Sequence, residues 1–394
     1  MSTDWIALEK QYYMFTVRRQ PVVIERGEGT RVWDVNGKEY LDFTSGWAVN
    51  NLGHCHPVIS EAIVSQATTL LQTSNQFYTI PQLNLAKLLV DNSCLDKVFF
   101  ANSGAEANEG AVKLARKHAM KNRNGAYEII TAYSSFHGRT LGMIAATGQP
   151  HYQANWQPLT PGFVHVEFND VEAIIAATTE RTAAIMLEPI QGEGGVNIPS
   201  YDYLRRVREW CDSQGLLLIL DEIQTGMGRL GTLFGYEQYG VEPDVMTLAK
   251  GLGGGVPIGA FMSKDSCMSL EPGDHGSTFG GNVLTCAAAH ASAKFLIEND
   301  VSSNSMIMGK HFMERLESTR AKFPIVAGTR GQGLLIALEF NQDIAGDVLS
   351  LCNQEGLLLN AVKPNAIRFM PPLNITAEEI AEGIGRLEAA LEKL

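Results

Sequence analysis

The sequence predicts an α/β fold, in which a mostly parallel sheet covered by helices is followed by a smaller α+β domain. Short, continuous apolar runs alternate with helical patterns through the middle of the chain, as is typical of parallel strands buried on both faces. The pattern changes after about Cys286, where strands and helices no longer alternate regularly. The length of 394 residues exceeds one ordinary core, which favours two domains.

The elements of the predicted sheet can be placed in order. A helix from about residue 105 to 121 follows the first strand. The strands are predicted at residues 97–101, 128–132, 183–187, 216–220, 245–249 and 258–262. In such sheets ligands bind beyond the carboxyl ends of the strands, so functional side chains are expected there.

The remaining elements form the predicted tail domain. They are a long helix from 286 to about 320, a strand pattern at 331–339, a helix near 348–355, strands at 356–360 and 366–370, and a helix at 376–394. Thr376 and Glu379 have the spacing of a capping box at the start of the last helix.

The N-terminal residues 22–41 show alternating strand patterns with a turn at Asn36 and Gly37. We expect them to pack on the tail domain. The predicted division is an N-terminal segment at 1–48, a large α/β domain at 49–284 and a small α+β domain at 285–394.

Composition excludes several classes of protein. The net charge of -12 disfavours nonspecific binding to nucleic acid or to an anionic membrane. No apolar run approaches the ~20 residues that span a bilayer, and residues 1–10 lack the apolar core of a secretory signal. The six cysteines are scattered and form no CxxC pair, which favours a reducing cytoplasm.

Lys250 is the most informative residue. It follows one predicted strand and precedes a glycine-rich stretch, and Asp221 ends another strand. A lysine amine can hold an aldehyde cofactor as a Schiff base, while a carboxylate keeps a pyridine nitrogen protonated. This combination indicates pyridoxal phosphate, and the alternative is an ordinary surface lysine after a strand.

A phosphate site is predicted where the strand at 97–101 meets the next helix. A helix that begins at Ala105 offers unpaired amides and a positive dipole end, and Gly104 lets an anion approach the backbone closely. Ser103 adds a hydroxyl. The alternative is an ordinary helix cap by Ser103.

Three other patterns are weaker. Residues 226–231 match GxGxxG, but five residues separate the match from its strand and no clear helix follows, which disfavours a dinucleotide site. Residues 251–255 lack the lysine and hydroxyl residue that end a P-loop. His54 and His56 flank Cys55 on an extended segment without a second ligand cluster, so a turn before Pro57 is favoured over a metal site.

Four further side chains are candidates for ligand contacts. Phe136 can stack on a flat cofactor and Arg139 can hold a carboxylate bidentately, although a core phenylalanine and a surface arginine are equally consistent. Arg368 lies among apolar residues and needs a partner, either structural or a substrate carboxylate. Glu193, in a glycine loop, is a candidate mobile carboxylate.

In combination, these motifs resemble the class III aminotransferases of the fold-type I pyridoxal phosphate enzymes. The matching segments occur in family order at residues 102–109, 135–140, 188–195, 221–229, 248–251 and 276–282. The resemblance spans nearly the whole chain. It implies a seven-stranded sheet, pyridoxal 5'-phosphate as cofactor, no metal, and a homodimer whose active site is shared between subunits.

The resemblance also implies roles for residues around the cofactor. Lys250 would form the Schiff base and then shuttle a proton, while Asp221 would pair with the pyridinium nitrogen. Gln224 would reach the ring hydroxyl, and Phe136 and Ile223 would sandwich the ring. The further cofactor-binding residues are Ser103, Gly104, Ala105, Glu222 and Thr278 of the partner subunit. Relatives often carry threonine at the position of Ala105, so a side-chain contact to phosphate is in doubt here.

Two arginines would bind the substrates. Arg139, with Ser277 of the partner subunit nearby, would hold the α-carboxylate of an acylated ornithine. Arg368 would hold the α-carboxylate of glutamate or 2-oxoglutarate. Glu193 would mask one arginine while the other substrate binds.

Residues 46–54 and the short N-terminus favour a member that transfers the δ-amino group of N2-acetyl-L-ornithine to 2-oxoglutarate in arginine biosynthesis. Within the family, the alternatives are succinylornithine, N-succinyl-diaminopimelate, carrier-bound lysine, ornithine and 4-aminobutyrate. Outside it, the alternatives are an aminomutase, a regulatory protein that binds the cofactor without turnover, and an NAD-binding oxidoreductase built on residues 226–231.

Overall fold

The computed structural model describes residues 3–394. Its helices are α1 Trp5–Tyr12, α2 Ser45–Ala48, α3 Pro57–Ala67, α4 Ile80–Asp91, α5 Gly104–Asn122, α6 Leu141–Ala146, α7 Pro150–Gln153, α8 Val171–Ala177, α9 Tyr203–Gln214, α10 Tyr236–Tyr239, α11 Val283–Glu298, α12 Val301–Lys322, α13 Ala345–Gln354 and α14 Ala377–Leu391. Short 3-10 turns lie at Lys250–Leu252 and Asp265–Cys267.

The strands form one large and two small sheets. They are β1 Ile24–Glu28, β2 Arg31–Asp34, β3 Glu39–Asp42, β4 Lys97–Ala101, β5 Glu128–Ala132, β6 Phe163–Val166, β7 Thr182–Leu187, β8 Leu217–Asp221, β9 Val245–Leu248, β10 Gly259–Ser263, β11 Val326–Gln332, β12 Leu335–Phe340, β13 Leu357–Leu358, β14 Asn360–Lys363 and β15 Ala366–Phe369.

The large sheet has seven strands in the order β4-β10-β9-β8-β7-β5-β6. All neighbours from β9 to β6 pair in parallel, whereas β10 is antiparallel to both β4 and β9. Every residue of β5, β7, β8, β9 and β10 is buried, as the continuous apolar runs require. The predicted mostly parallel, seven-stranded sheet is confirmed.

The six strands predicted from apolar runs are present to within one residue at each end. Edge strand β6 was not predicted from the pattern. Its sequence is only four residues long and contains His165, so it lacks the apolar run that marks the other strands.

The predicted helix from 286 to about 320 was wrong as a single element. Helix α11 ends at Glu298 and α12 begins at Val301. Asp300 between them has a φ of 48°, and a residue in this left-handed region cannot continue a right-handed helix. The break was missed because the helical pattern of the sequence continues on both sides of it.

Two segments of the tail domain that were predicted as single strands each form two strands. Residues 326–340 form the hairpin β11–β12, which turns at Gly333 with a φ of 53°. Residues 357–363 form two strands, because β13 pairs with β3 while β14 pairs with β15 in the other small sheet. At the C-terminus, Thr376 and Glu379 form the predicted capping box before α14.

The N-terminal strands share a sheet with the tail. Strand β3 pairs in parallel with β13, with Leu41 opposite Leu357. Strands β2 and β3 are joined through the turn at Asn36 and Gly37, where the Asp34 carboxylate accepts hydrogen bonds from the amides of Asn36 and Lys38. We propose domain boundaries at 48/49 and 284/285.

The carboxyl end of the large sheet carries the functional side chains. Strand β8 ends at Asp221, β7 is followed by Glu188, and β9 ends two residues before Lys250. Among the described residues, none of the helices has both the length and the apolar character needed to cross a membrane.

Candidate active site

A cavity of about 460 Å³ opens beyond the carboxyl ends of the parallel strands. It is lined by Val49, Asn102, Ser103, Gly104, Ala105, Phe136, His137, Gly138, Arg139, Glu188, Glu193, Asp221, Ile223, Gln224, Ala249, Lys250, Gly255, Val256, Pro257 and Ile258. The fold thus brings together residues that are up to 209 positions apart in the chain, from Val49 to Ile258.

Lys250 begins a 3-10 turn directly after β9 and has a φ of 43°, in the left-handed region. Such backbone strain persists only where surrounding structure enforces it. Burial lowers the pKa of the Lys250 amine, and the attraction of Glu193 opposes this only in part. The amine is therefore easier to deprotonate than that of an exposed lysine.

Asp221 is held by three hydrogen bonds. Its Oδ2 lies 2.8 Å from Nδ1 of His137 and accepts a hydrogen bond of 2.8 Å from Nδ2 of Asn108. Its Oδ1 accepts one from the amide of Ile223. The carboxylate is only 3% exposed, so its orientation is set by these contacts.

His137 and Asn108 were not assigned a role from the sequence. Asn108 also donates to the carbonyl of His137, which ties both residues to the same carboxylate. His137 lies between Phe136 and Arg139, which the motif analysis did single out. That position within a recognised motif was the available signal.

The start of α5 provides an anion site. Ser103 caps only the amide of Glu106, and the amides of Gly104 and Ala105 precede the first intrahelical hydrogen bond. A Cβ at Gly104 would lie 2.7 Å from Cδ1 of Ile223, so any side chain here would push into the cavity wall. The helix end therefore suits a phosphate bound to backbone amides.

Arg139 lies at the exposed side of the cavity. Its guanidinium carbon is 4.0 Å from the ring centre of Tyr152 and 5.5 Å from that of Phe136. Within residues 3–394 it forms no ion pair. An arginine held over aromatic rings without an acidic partner is prepared to bind a carboxylate. Tyr152 was not predicted from the sequence.

Arg368 is completely buried and lies behind two residues that line the cavity. Its Nη2 is 2.9 Å from Oε1 of Glu193, and its Nη1 donates to Oε1 of Gln224 at 3.1 Å. Gln224 in turn donates to Glu193 at 3.2 Å. Burial acts to raise the pKa of Glu193, but Arg368 and Lys250 outweigh it and lower this pKa to about 2.

Glu188 is a further cavity residue without a predicted role. Burial and the nearby charge of Asp221 raise the pKa of the Glu188 carboxyl well above its ordinary value. Its Oε2 accepts a hydrogen bond of 3.2 Å from the amide of Phe136. The side chain thus supports the loop that carries Phe136.

Four predicted site residues do not line the cavity: Arg368, which lies behind Glu193 and Gln224, and also Glu222, Ser277 and Thr278. The carboxylate of Glu222 accepts hydrogen bonds from the amides of Gly235 and Tyr236, which do not line the cavity. We therefore propose no contact between the Glu222 side chain and the cofactor. Ser277 accepts a hydrogen bond from Asn102, and Thr278 is exposed at the surface. Within one chain these two residues are outside the site.

The residues present fit pyridoxal 5'-phosphate. The donor set contains a buried amine on Lys250, a fixed carboxylate on Asp221 and a helix end at Gly104 for the phosphate. Ile223 and Phe136 supply apolar surface for the ring. A Cβ at Gly104 would contact the Ile223 side chain, so glycine here leaves room for Ile223 in the cavity wall.

The alternative ligand sites have no support. No helix follows residues 226–231 until α10 begins at Tyr236, so the glycines do not form a strand-to-helix turn. His54 lies 2.8 Å from Asp42 in an ordinary side-chain pair. No group of three metal-ligating side chains occurs in the part of the chain that the structure describes.

The fold and the site define a class of protein: the chain belongs to the class III aminotransferases, whose family model matches residues 12–391. These are pyridoxal phosphate-dependent enzymes, and pyridoxal 5'-phosphate is the cofactor of this chain. An acetylornithine aminotransferase of Methanocaldococcus jannaschii is 50% identical over 397 residues, covering 99% of this chain and 98% of that protein.

Solved structures agree with this membership. The ornithine aminotransferase from Toxoplasma gondii has a TM-score of 0.96 at 37% identity, covering 100% of this chain and 96% of that one. The acetylornithine aminotransferase from Elizabethkingia anophelis has a TM-score of 0.89 at 35% identity, covering 99% and 98%.

Proposed function

We propose that the enzyme transfers the δ-amino group of N2-acetyl-L-ornithine to 2-oxoglutarate, giving N-acetylglutamate 5-semialdehyde and L-glutamate. This is the reaction of an acetylornithine aminotransferase and would serve arginine biosynthesis. The proposal is supported by the 50% identical relative of that name over nearly the full chain. The structural observation that carries it is the pair of unlike arginines, Arg139 open and Arg368 covered by Glu193.

The cofactor, when bound, supplies a carbonyl group for the substrate amine and an electron sink for the negative charge that develops on carbon. Asp221 would hold the ring nitrogen in its protonated form, with His137 and Asn108 keeping the carboxylate in place. The amides of Gly104 and Ala105 would bind the phosphate, and Phe136 would cover the ring.

Lys250 would move the proton. Its Nζ would accept the proton from the substrate carbon that carries the reacting nitrogen, and the burial that lowers the pKa of this amine favours the neutral form that the step requires. The same Nζ, then charged, would donate this proton on the cofactor side of the reacting nitrogen. The constrained turn at Lys250 keeps this amine directed at the cavity that it lines.

The two substrates place different demands on the cavity. Acetylornithine presents a terminal amine, so its single α-carboxylate must lie far from the reacting carbon, where Arg139 would bind it. Glutamate presents its α-amine, so its α-carboxylate must lie close, where Arg368 would bind it. Glu193 neutralises Arg368 in the first case and must leave it in the second.

The resemblance implies that Gln224 contacts the ring hydroxyl, but its side chain has other partners in this structure. Its amide is engaged with both Arg368 and Glu193. When Glu193 leaves Arg368, the amide nitrogen of Gln224 loses its acceptor, and contact with the ring hydroxyl would belong to that second arrangement.

A homodimer is part of the proposal, with Ser277 and Thr278 contributing to the site of the partner subunit. The support is a surface that combines two segments of the chain. Asn75 donates to the carbonyls of Ser277 and Gly280, and Asn282 donates to that of Leu71. The large apolar side chains exposed at residues 70–80 and at 279 are those of Leu70, Leu71, Phe77, Tyr78, Ile80 and Phe279. An exposed apolar surface of this kind marks an interface with another protein.

We place the enzyme in the cytoplasm. All six cysteines are unpaired, and four of them are buried. This use of cysteine is typical of a reducing compartment.

Ornithine is the second candidate substrate, because the Toxoplasma gondii structure with a TM-score of 0.96 is that of an ornithine aminotransferase. Single-turnover rates with a panel of ω-amines test both proposals. Acetylornithine should react fastest, and a faster reaction with ornithine, succinylornithine or 4-aminobutyrate would overturn the substrate assignment.

A further inference from the structure

The loop that carries Glu193 is a closed turn. It spans residues 191–197, here named the glycine loop, and the backbones of Gln191 and Asn197 at its two ends exchange hydrogen bonds of 3.1 and 3.0 Å. The side chain of Asn197 also donates to the carbonyl of Gly194 at 3.2 Å. These bonds fix the shape of the loop, but they do not set its position against the arginine that Glu193 covers.

A second arginine besides Arg368 holds the glycine loop from the C-terminal sheet, β11-β12-β15-β14. Nε of Arg330 on β11 donates a hydrogen bond of 2.8 Å to the carbonyl of Gly195 in the loop. The other end of this guanidinium is fixed, because its Nη1 donates to Oε2 of Glu339 at 2.7 Å and Glu339 also accepts from Asn365. Arg330 thus joins the backbone of the loop to a side chain that is itself held.

Arg330 and Arg368 lie on the same face of the C-terminal sheet. Arg330 on β11 is opposite Ala337 on β12, and Ala337 is opposite Arg368 on β15. Directly opposed residues of antiparallel strands share a face, and neighbouring strands are about 4.8 Å apart, so the backbones of the two arginines are about 10 Å apart. One arginine binds the backbone of the glycine loop, and the other binds the carboxylate that the loop carries.

Apolar contacts also hold the glycine loop against this sheet. Ala337, between the two arginines, belongs to the same buried cluster as Ile190 and Val196. A Cβ at Gly195 would lie 2.5 Å from Cε of Lys363 on β14, so the loop backbone packs closely on that strand as well. Val196 has a φ of 55°, which is strained for a β-branched residue and persists only where surrounding contacts enforce it. The sheet therefore holds the loop in place.

We propose that Arg330 is a positioning residue for the masking of Arg368: it docks the glycine loop on the C-terminal sheet so that Glu193 reaches Arg368 when no substrate carboxylate is bound there. Arg330 acts through Glu193, because its guanidinium binds the loop and does not line the cavity. The inference rests on the masking role of Glu193 in the proposed function. Loss of Arg330 should weaken the mask, so a carboxylate ligand should bind more tightly.

The test measures binding of glutarate to the cofactor-loaded enzyme by calorimetry. In R330M we expect glutarate to bind about threefold more tightly, because a loop that has lost a hydrogen bond to the sheet holds Glu193 less firmly over Arg368. In R330K, which keeps a donor, the affinity should lie between those of R330M and the wild type. In the double variant E193Q/R330M the affinity should equal that of E193Q, since the mask that Arg330 positions is already gone.

R386M is the matched control. The Arg386 side chain is 21% exposed, close to the 24% of Arg330, and it too binds a glycine carbonyl and a glutamate, those of Gly356 and Glu382. None of its hydrogen bonds within residues 3–394 reaches the glycine loop. Thermal unfolding should show a loss of stability in both R386M and R330M, whereas the glutarate affinity of R386M should stay that of the wild type. A similar gain in R386M would show that destabilisation alone uncovers Arg368, and would overturn the inference.

Unchanged or weaker glutarate binding in folded R330M would also overturn it, as would a further change when R330M is added to E193Q. If R330M does not fold, R330K decides in the same way. E193Q separates this inference from the proposed function. If E193Q leaves the glutarate affinity unchanged, the masking role is wrong and the role of Arg330 with it, whereas a response to E193Q with none to R330M contradicts the role of Arg330 alone.

Discussion

Oε1 of Glu193 lies 2.9 Å from Nη2 of Arg368, so the cavity's own carboxylate covers the buried arginine. Arg139, at the exposed side of the same cavity, packs on Tyr152 and has no acidic partner in the described structure. Before any substrate binds, Arg368 is thus paired with a carboxylate while Arg139 is not. This asymmetry allows one cavity to accept both a terminal amine and an α-amine.

Replacing Glu193 should uncover Arg368. In E193Q we expect glutarate to bind about tenfold more tightly, because the ligand no longer displaces a charged competitor from a buried site. Calorimetry on the cofactor-loaded enzyme measures this. E209Q, which alters a carboxylate in a surface ion pair, is the control. Unchanged glutarate affinity in E193Q would contradict the masking role.

Removing Arg139 should separate the two half-reactions. In R139Q the acetylornithine half-reaction should weaken by about 10- to 100-fold, since a charge-assisted hydrogen bond is worth about 1.5–3 kcal/mol. The glutamate half-reaction should lose far less. Stopped-flow single turnovers measure both, with R205Q on the surface of α9 as control. Equal losses would argue against the division between Arg139 and Arg368.

His137 should matter through Asp221. In H137F the carboxylate loses one of its three hydrogen bonds, and kcat should fall by about 10- to 100-fold with little change in KM. H137N retains an amide donor and should recover part of the activity. Steady-state kinetics of both variants provide the comparison. Equal activity of H137F and H137N would show that the contact to Asp221 is not the relevant one.

Lys250 is tested by spectroscopy. The wild type loaded with cofactor should show a visible absorption band that borohydride removes, because reduction fixes the bond between the amine and the cofactor. K250A should lack this band. Its persistence in K250A would assign the bond to another lysine.

Glu222 should make stability depend on pH. Burial raises its pKa to about 7, despite the amides of Gly235 and Tyr236 that favour the anion. The folded state therefore binds this proton more tightly than the unfolded chain, whose glutamate pKa is about 4.3. The contribution to the free energy of unfolding is complete below about pH 4.3 and is lost as the pH rises through about 7, by roughly 4 kcal/mol in total.

Urea unfolding of the wild type and E222Q between pH 4.5 and 8 measures this effect. The free energy of unfolding of E222Q should fall less steeply over that interval, because glutamine does not titrate. Parallel curves for the two proteins would show that Glu222 is not the group responsible.

Much of the fold was predictable because its signals are local. Each central strand is buried on both faces and therefore needs a continuous apolar run, and six such runs located the strands to within one residue. Edge strand β6 has no such run. The break at Asp300 depends on one backbone angle, which the surrounding helical pattern conceals.

The sequence by itself determined that a lysine and an aspartate lie at the carboxyl ends of strands of a parallel sheet, and sequence motifs indicated the cofactor they serve. Only the tertiary structure decided that Glu193 covers Arg368 and that His137 supports Asp221. It also decided that Arg330 binds the loop that carries Glu193. The physical reason is distance along the chain, because these contacts join residues 84 to 175 positions apart. The residues that neighbour a position in the sequence do not reveal which distant residue will contact it in the folded protein.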